Sequence, residues 1–396
     1  MTPNLKKRLF TAGAVLVILT AAFMIIRPDK PEPLFRSSDS GYSLTTYQNK
    51  DKDNSNISNS RNNIITETVK KVSPAVVGIN VTEIRQYRDP FGSFFDDPFF
   101  KQFFNNRSYS EKVKGLGSGF IISPDGYIVT NDHVAGNATE ITVTMTNGKH
   151  YKAKVVGSDP ITDICLLKVD ASDLPYEILG NSGDVMIGEW VIALGNPFGL
   201  FEINDKPTVT VGVISSTGMN LEPINNRYYI NMLQTDAAIN GGNSGGPLVN
   251  SEGEVIGMNT LIFTGGNGSQ GSIGLGFAIP IDKIKRIISE LKENGKIDRD
   301  FDPGMRIQTI DEQIAKYYSL DETRGVIITQ ILPDSPAKRA GLKVGDIIVQ
   351  VENYRINDDQ TIIGVFQEFR KGQTVTLNIL RDNKPMTVQM KLENNK

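Results

Sequence analysis

Gly241-Gly242-Asn243-Ser244-Gly245-Gly246-Pro247 is the stretch on which the reading of this chain turns. A serine enclosed by glycines can sit in a tight turn where backbone N–H groups converge, the geometry an oxyanion hole requires. The stretch also satisfies the G-x-S-x-G elbow of α/β-hydrolases. That fold takes its triad in the order serine, acid, histidine. This chain has 2 histidines, His133 and His150, and both precede Ser244. The elbow is excluded by order, and the order histidine, aspartate, serine remains.

His133 fits that order. It lies just beyond a strand pattern, in Val129-Thr130-Asn131-Asp132-His133-Val134, where an imidazole can face a cleft. His150 follows the Asn147-Gly148 hairpin signal on a polar arm and reads as a solvated surface residue. Asp163 opens an apolar strand running to Val169, so its carboxylate is expected half-buried and aimed; Asp132, Asp159 and Asp170 read as surface turn or strand-end residues. Cys165 alternates into the same strand and reads as a small core residue. The roles follow from these types. Ser244 attacks a carbonyl, His133 carries its proton to the leaving group, and Asp163 fixes the tautomer and stabilises the imidazolium. The oxyanion segment is Gly242-Asn243-Ser244, acting through the Gly242 and Ser244 N–H groups.

Composition narrows the partners. The 396 residues carry 42 basic and 45 acidic side chains, a net charge of -3 that gives no reason to expect nucleic acid. One cysteine permits no internal disulfide and no cysteine-based zinc site, and no metal or other cofactor is expected. Lys6, Lys7 and Arg8 precede an uncharged run from Leu9 to Ile26, long enough to nearly span a bilayer. The basic cluster places residues 1–8 in the cytoplasm and the remainder outside. A cleaved signal peptide is the other reading, but Phe23-Met24-Ile25-Ile26 continues past Thr20-Ala21-Ala22 and favours an uncleaved anchor over 9–26. Residues 27–60, rich in Pro, Ser, Asn, Asp and Lys, read as a flexible tether.

Beyond the tether the chain reads as mainly β. Ile64, Ile65, Val69 and Val72 have helical spacing that Pro74 ends. Short β-rich runs then follow one another. Gly119–Ile122 joins Tyr127–Thr130 through Ser123-Pro124-Asp125-Gly126, and Ile141–Met145 meets Asn147-Gly148, a two-residue hairpin signal. Further strands are expected at 163–169, 190–194, 208–214, 247–249 and 255–258, a cadence of barrels or sandwiches. Pro280 opens a helix bearing Ile281, Ile284, Ile288 and Leu291, closed by Gly295. Residues 296–303 read as a linker to a smaller unit of mixed strands and helix.

The chain resembles the HtrA (Deg) family of proteases in an ordered series of stretches. They are Gly115–Phe120, Thr130–Val134, Ser158–Ile164, Ala193–Gly199, Gln234–Gly246 and Gly276–Pro280. The resemblance implies a chymotrypsin-like double β-barrel over 61–295, with His133 and Asp163 from the first barrel and Ser244 from the second. It also implies an ATP-independent, membrane-anchored endopeptidase of the bacterial inner membrane. Such an enzyme faces the periplasm or cell exterior, handles misfolded or regulatory exported proteins, and usually assembles as a trimer. The base of the primary pocket in that fold falls at Ala238. With Ile239 it predicts small or medium apolar side chains before the cut. Seven of the 18 phenylalanines crowd between Phe91 and Phe104, either as a local cluster packed over its own barrel or as a contact for a neighbouring subunit or unfolded substrate; the resemblance favours the second, since relatives carry a long aromatic loop at this place. Residues 304–394, through Gly325–Ala337 and Ala340–Ile348, resemble one α+β PDZ domain. A groove between a strand at 305–310 and a helix at 359–369 would take peptide C-termini, with Gly304, Met305, Arg306 and Ile307 as the carboxylate loop and Ile362 and Phe366 lining it.

Overall fold

The computed structural model describes residues 61–84, 112–196, 206–262 and 272–394. The anchor, the tether and the phenylalanine run lie outside these residues. Among the described residues no helix is long and apolar enough to cross a membrane.

Helix α1 (Ile64–Val72) starts at Asn63, whose carboxamide accepts from the Thr66 N–H at 3.0 Å while Thr66 Oγ1 accepts from the Asn63 N–H at 3.0 Å. That reciprocal cap satisfies two orphan donors at once. Six strands then close a barrel: β1 (Val76–Ile84), β2 (Lys112–Ile121), β3 (Tyr127–Thr130), β4 (Glu140–Met145), β5 (His150–Asp159) and β6 (Ile164–Val169), in the order β1-β2-β3-β6-β5-β4. Val77, Ile79, Ile121, Ile128, Val143 and Leu167 fill its interior. The β4–β5 loop corrects the expected two-residue hairpin. Met145 pairs with Lys149, and the Gly148 N–H donates to the Met145 carbonyl at 3.0 Å, so the loop spans Thr146, Asn147 and Gly148. A two-residue turn of that hand needs positive φ at both centres, whereas here Gly148 alone supplies it (φ +76). Asn147 spends its side chain on the Lys149 N–H instead.

The second sheet holds β7 (Ile178–Leu179), β8 (Trp190–Gly195), β9 (Thr208–Met219), β10 (Met232–Thr235), β11 (Pro247–Asn250), β12 (Glu254–Ile262) and β13 (Gly276–Pro280). The β11–β12 pairing closes six of these strands on themselves as a second barrel. Helix α3 (Ile281–Asn294) follows, its C-terminus turned by left-handed Gly295 (φ +71). (The short α2 is described with the site.) Ile281, Ile284, Ile287 and Leu291 of α3 share one core with Phe120 and Leu166 of the first barrel and Ile192 of the second. Each such aliphatic side chain contributes ~1.5–3 kcal/mol on burial, enough to hold the two barrels at a fixed cleft.

The last sheet runs β14-β15-β16-β18-β19. Its strands are β14 (Met305–Thr309), β15 (Val326–Ile331), β16 (Ile347–Val351), β18 (Thr374–Arg381) and β19 (Lys384–Lys391), with β17 (Tyr354–Arg355) beside β16. Helices α4 (Glu312–Tyr317), α5 (Pro336–Arg339) and α6 (Asp359–Phe366) pack around it. Helix α6 ends three residues before the expected Phe369, because tighter bonds take over: the Gln367 N–H reaches Gly364 and the Phe369 N–H reaches Phe366. The stretch read as a linker is not slack. Arg299 grips Asp159 of β5 through two bonds of 2.8 and 2.7 Å and donates to the Gln367 carbonyl at 2.6 Å.

Candidate active site

The site begins with a backbone device. Asp163 stands immediately before β6 in a left-handed conformation (φ +62), which lifts its carboxylate out of the strand's alternation. Opposite it, β3 runs into the single-turn helix α2 (Asp132–Ala135), which carries His133. His133 Nδ1 lies 2.8 Å from Asp163 Oδ2 and 3.0 Å from Oδ1, and the His133 backbone N–H donates to Oδ1 at 3.0 Å. With Nδ1 carrying the proton toward the carboxylate, Nε2 is left as the basic nitrogen.

Asp163 is wholly buried, not half-buried as its strand-end position predicts. Donors compensate. Thr260 Oγ1 at 2.9 Å and the Tyr229 hydroxyl at 3.2 Å both donate to Oδ2, and Arg227 Nε donates to Oδ1 at 3.2 Å. Burial alone would raise this carboxyl, but the charge and hydrogen bonds of His133 and the charge of Arg227 outweigh it and hold it below the ordinary aspartate value. Asp132 and Asp159, expected at the surface, are buried as well. Asp132 takes Arg227 Nη2 at 2.5 Å and Ser158 Oγ at 2.6 Å, and burial raises its carboxyl. Asp170 is exposed, as expected.

The serine turn packs against the first barrel. The Ser118 N–H donates to the Ser244 carbonyl at 2.9 Å, and Ser118 Oγ donates to the Gly242 carbonyl at 2.5 Å. Gly245 (φ +86) presses so close to the Ser118 carbonyl and Thr130 that a Cβ there would overlap them. This position admits glycine alone. Ser244 Oγ donates to the Thr260 carbonyl at 3.0 Å. Thr260 therefore touches both ends of the constellation, its hydroxyl on Asp163 and its carbonyl on Ser244. Among the described residues no backbone carbonyl accepts from the Gly242 or Ser244 N–H, while the Asn243 N–H is spent on Asn240 at 3.0 Å.

Other predicted residues are placed differently. His150 is exposed at the start of β5, its Nδ1 3.0 Å from Thr144 Oγ1 and away from the cleft. Cys165 is a core residue whose thiol burial pushes up to about 12. Ala238 is half-buried, but Ile239 is fully enclosed in the second barrel against Gly276 and offers no surface to a ligand.

Residues 117–258 match the trypsin-like peptidase domain family and residues 303–392 match the PDZ domain family. A probable periplasmic serine endoprotease DegP-like of Marinomonas sp. (strain MWYL1) is 40% identical over 344 residues, covering 83% of this chain and 71% of the relative. The chain belongs to the HtrA family of DegP-like serine endoproteases. A similar protein of Halomonas elongata is 40% identical over 339 residues, covering 82% of this chain and 69% of that one. Among solved structures, the HtrA-type protease AlgW with tripeptide superposes at a TM-score of 0.62 with 33% identity, covering 83% of this chain and 96% of that chain. AlgW with decapeptide gives 0.61 and 35%, over 83% and 98%.

In this HtrA-type endoprotease the PDZ sheet leaves β14 at an edge, with α6 packed across it. Thr309 Oγ1 and Asp359 bond twice at 3.0 Å and close one end of that seam. At the other end Gly304 (φ +67) donates to Asp302 and accepts from Leu332, so its N–H is already committed. Met305 and Ile307 are half-buried and Arg306 is exposed. Ile362 and Phe366 are buried in the PDZ core, and the Phe301 ring packs edge-on against Phe366, with centroids 6.5 Å apart. Sequence reasoning missed Ser118, Arg227, Tyr229 and Thr260. Only Ser118, within its glycine-rich stretch, carried a local signal.

Proposed function

We propose that the protease cleaves peptide bonds through Ser244, His133 and Asp163. The Asp163 carboxylate, buried among five donor groups and bonded to His133 Nδ1, is the observation that carries the reading. For attack, Ser244 Oγ turns from the Thr260 carbonyl to His133 Nε2, which takes its proton and later returns it to the leaving amine. The N–H groups of Gly242 and Ser244 receive the oxyanion; one such donor lowers the barrier by about 3–4 kcal/mol. Ala238 presents no carboxylate to the residue before the cut, so small or medium apolar side chains are preferred over Lys or Arg. Labelling by a fluorophosphonate, lost in Ser244→Ala, tests the nucleophile. A Ser244→Ala protein that still takes the label would overturn it.

The working setting is extracytoplasmic. The periplasmic relatives and the apolar run at 9–26 support an enzyme tethered to the inner membrane, and the resemblance to HtrA proteases supports a trimer that acts on unfolded exported proteins without ATP. The PDZ groove takes a peptide C-terminus as an added strand on β14, with the Met305–Ile307 amides and Arg306 at its carboxylate. Calorimetry with a free-acid peptide and its C-terminal amide decides this point. Equal affinities would return the domain to a docking or spacer role.

A further inference from the structure

Among the described groups bonded to Asp163, one is a permanent cation. Arg227 is almost wholly buried, with Nε 3.2 Å from Asp163 Oδ1 and Nη2 2.5 Å from Asp132 Oδ2. Its approach is built into the chain. Ile224 and Arg227 exchange two backbone bonds of 3.1 and 3.0 Å across Asn225 and Asn226. Both asparagines are left-handed (φ +53 and +62), the signature of a tight turn that Asn tolerates. The next N–H, of Tyr228, is anchored on the Ile161 carbonyl at 2.9 Å.

We propose that Arg227 is a positioning residue of the proteolytic reaction, one that sets the basicity of His133 by sharing the charge of Asp163. The proposal rests on the proteolytic reading above and deepens it. An ionised carboxylate favours the imidazolium, and a cation on the carboxylate's other oxygen subtracts from that attraction. Removing that cation therefore strengthens the hold of Asp163 on the His133 imidazolium.

The other groups facing Asp163 do not replace Arg227. Asp132, on α2 beside His133, pulls in the opposite sense and is itself paired with Arg227. At the end of β5, Asp159 is paired with Arg299. Tyr229, on the segment before β10, and Cys165, on β6, are both held neutral by burial, the thiol up to about 12. Thr260 on β12 carries no charge. Arg227 itself stays charged: burial opposes it, but Asp163 and Asp132 raise it further.

The test is the pH dependence of kcat/KM for a peptide substrate, using the full chain and its Arg227→Gln, Arg227→Lys and Asp132→Asn/Arg227→Gln variants. In Arg227→Gln the acid limb should move up by about one pH unit, the lower end of what a neighbouring charge does. Activity on that limb should then fall about tenfold, with a smaller change on the alkaline plateau. Arg227→Lys should keep the limb in place. The double variant, which removes the opposing charges together, should fall between the wild type and Arg227→Gln. If Arg227→Gln does not fold, the double variant decides, its limb still lying above that of the wild type. Because the chain has 2 histidines, the His133 ring can also be titrated by NMR in a His150→Ala background. An unmoved limb and an unmoved His133 titration, with activity lowered equally at every pH, would make Arg227 a structural brace and overturn the proposal. A wild type that neither cleaves nor labels would instead overturn the proteolytic reading itself.

Discussion

At Asp163 the left-handed backbone suits Asp and Asn better than other side chains, so Asp163→Asn should keep the local conformation. The amide holds His133 in the wrong tautomer, and kcat should fall by roughly 10⁴. Ser244→Ala should cost on the order of 10⁵–10⁶ in kcat on unfolded casein, with an unchanged circular dichroism spectrum. His150→Ala should leave the rate unchanged, and a dead His150→Ala beside an active His133→Ala would reverse the assignment. A different residue governs stability. Glu177 is buried with Oε1 unpartnered among the described residues, and burial raises its carboxyl to about 8 despite the nearby Lys71. The folded chain holds this proton where the unfolded chain, near the ordinary ~4.3, has released it. Stability from this group is therefore full below the unfolded value and declines as pH rises toward 8. Urea midpoints at acidic and mildly alkaline pH should differ in the wild type, and Glu177→Gln should flatten the difference. The residue scale was legible where chemistry announces itself in a short stretch, as at Ser244, or by scarcity, as with two histidines. Arg227 and Tyr229 gave no sign. They lie more than sixty residues along the chain from Asp163, and only the closing of two barrels brings them together.

At the scale of elements, strands and their order could be read because turn residues punctuate them, and α3 because its apolar spacing and Gly295 agree. Two details escaped. Asn147-Gly148 predicts the hairpin but not the loop length, which depends on a side-chain bond that competes with the turn. The end of α6 depends on backbone bonds with no residue signature. Gly364 on α6 shows what such contacts require. A Cβ there would lie 2.8 Å from the Tyr228 ring and 2.9 Å from Ile230, both on the segment that carries Arg227. Gly364→Val should overpack this contact and cost about 1–3 kcal/mol in urea unfolding, whereas a helix-propensity argument alone would predict a gain.

For the whole molecule, composition does not reveal the grip between parts, since a polar run such as 296–303 looks the same slack or clamped. Arg299 is nearly buried, and so is the carboxylate it holds. Arg299→Ala should cost about 3–5 kcal/mol, because Asp159 is left uncompensated. The exposed Lys371–Asp300 pair is the control, and Lys371→Ala should shift the melting temperature hardly at all. A chain ending at Asn294 should be less stable than the full chain, since it strips Arg299 from Asp159 and bares Tyr228 and Ile230. The same clamp has a consequence in time. A polypeptide made from its N-terminus has Ser244, His133 and Asp163 in place long before α6 exists. Until α6 arrives, Tyr228 and Ile230 lack the Gly364 surface that packs on them, and the turn that carries Arg227 lacks that backing. The nascent protease thus reaches its finished site only after the stretch that forms α6 has been made.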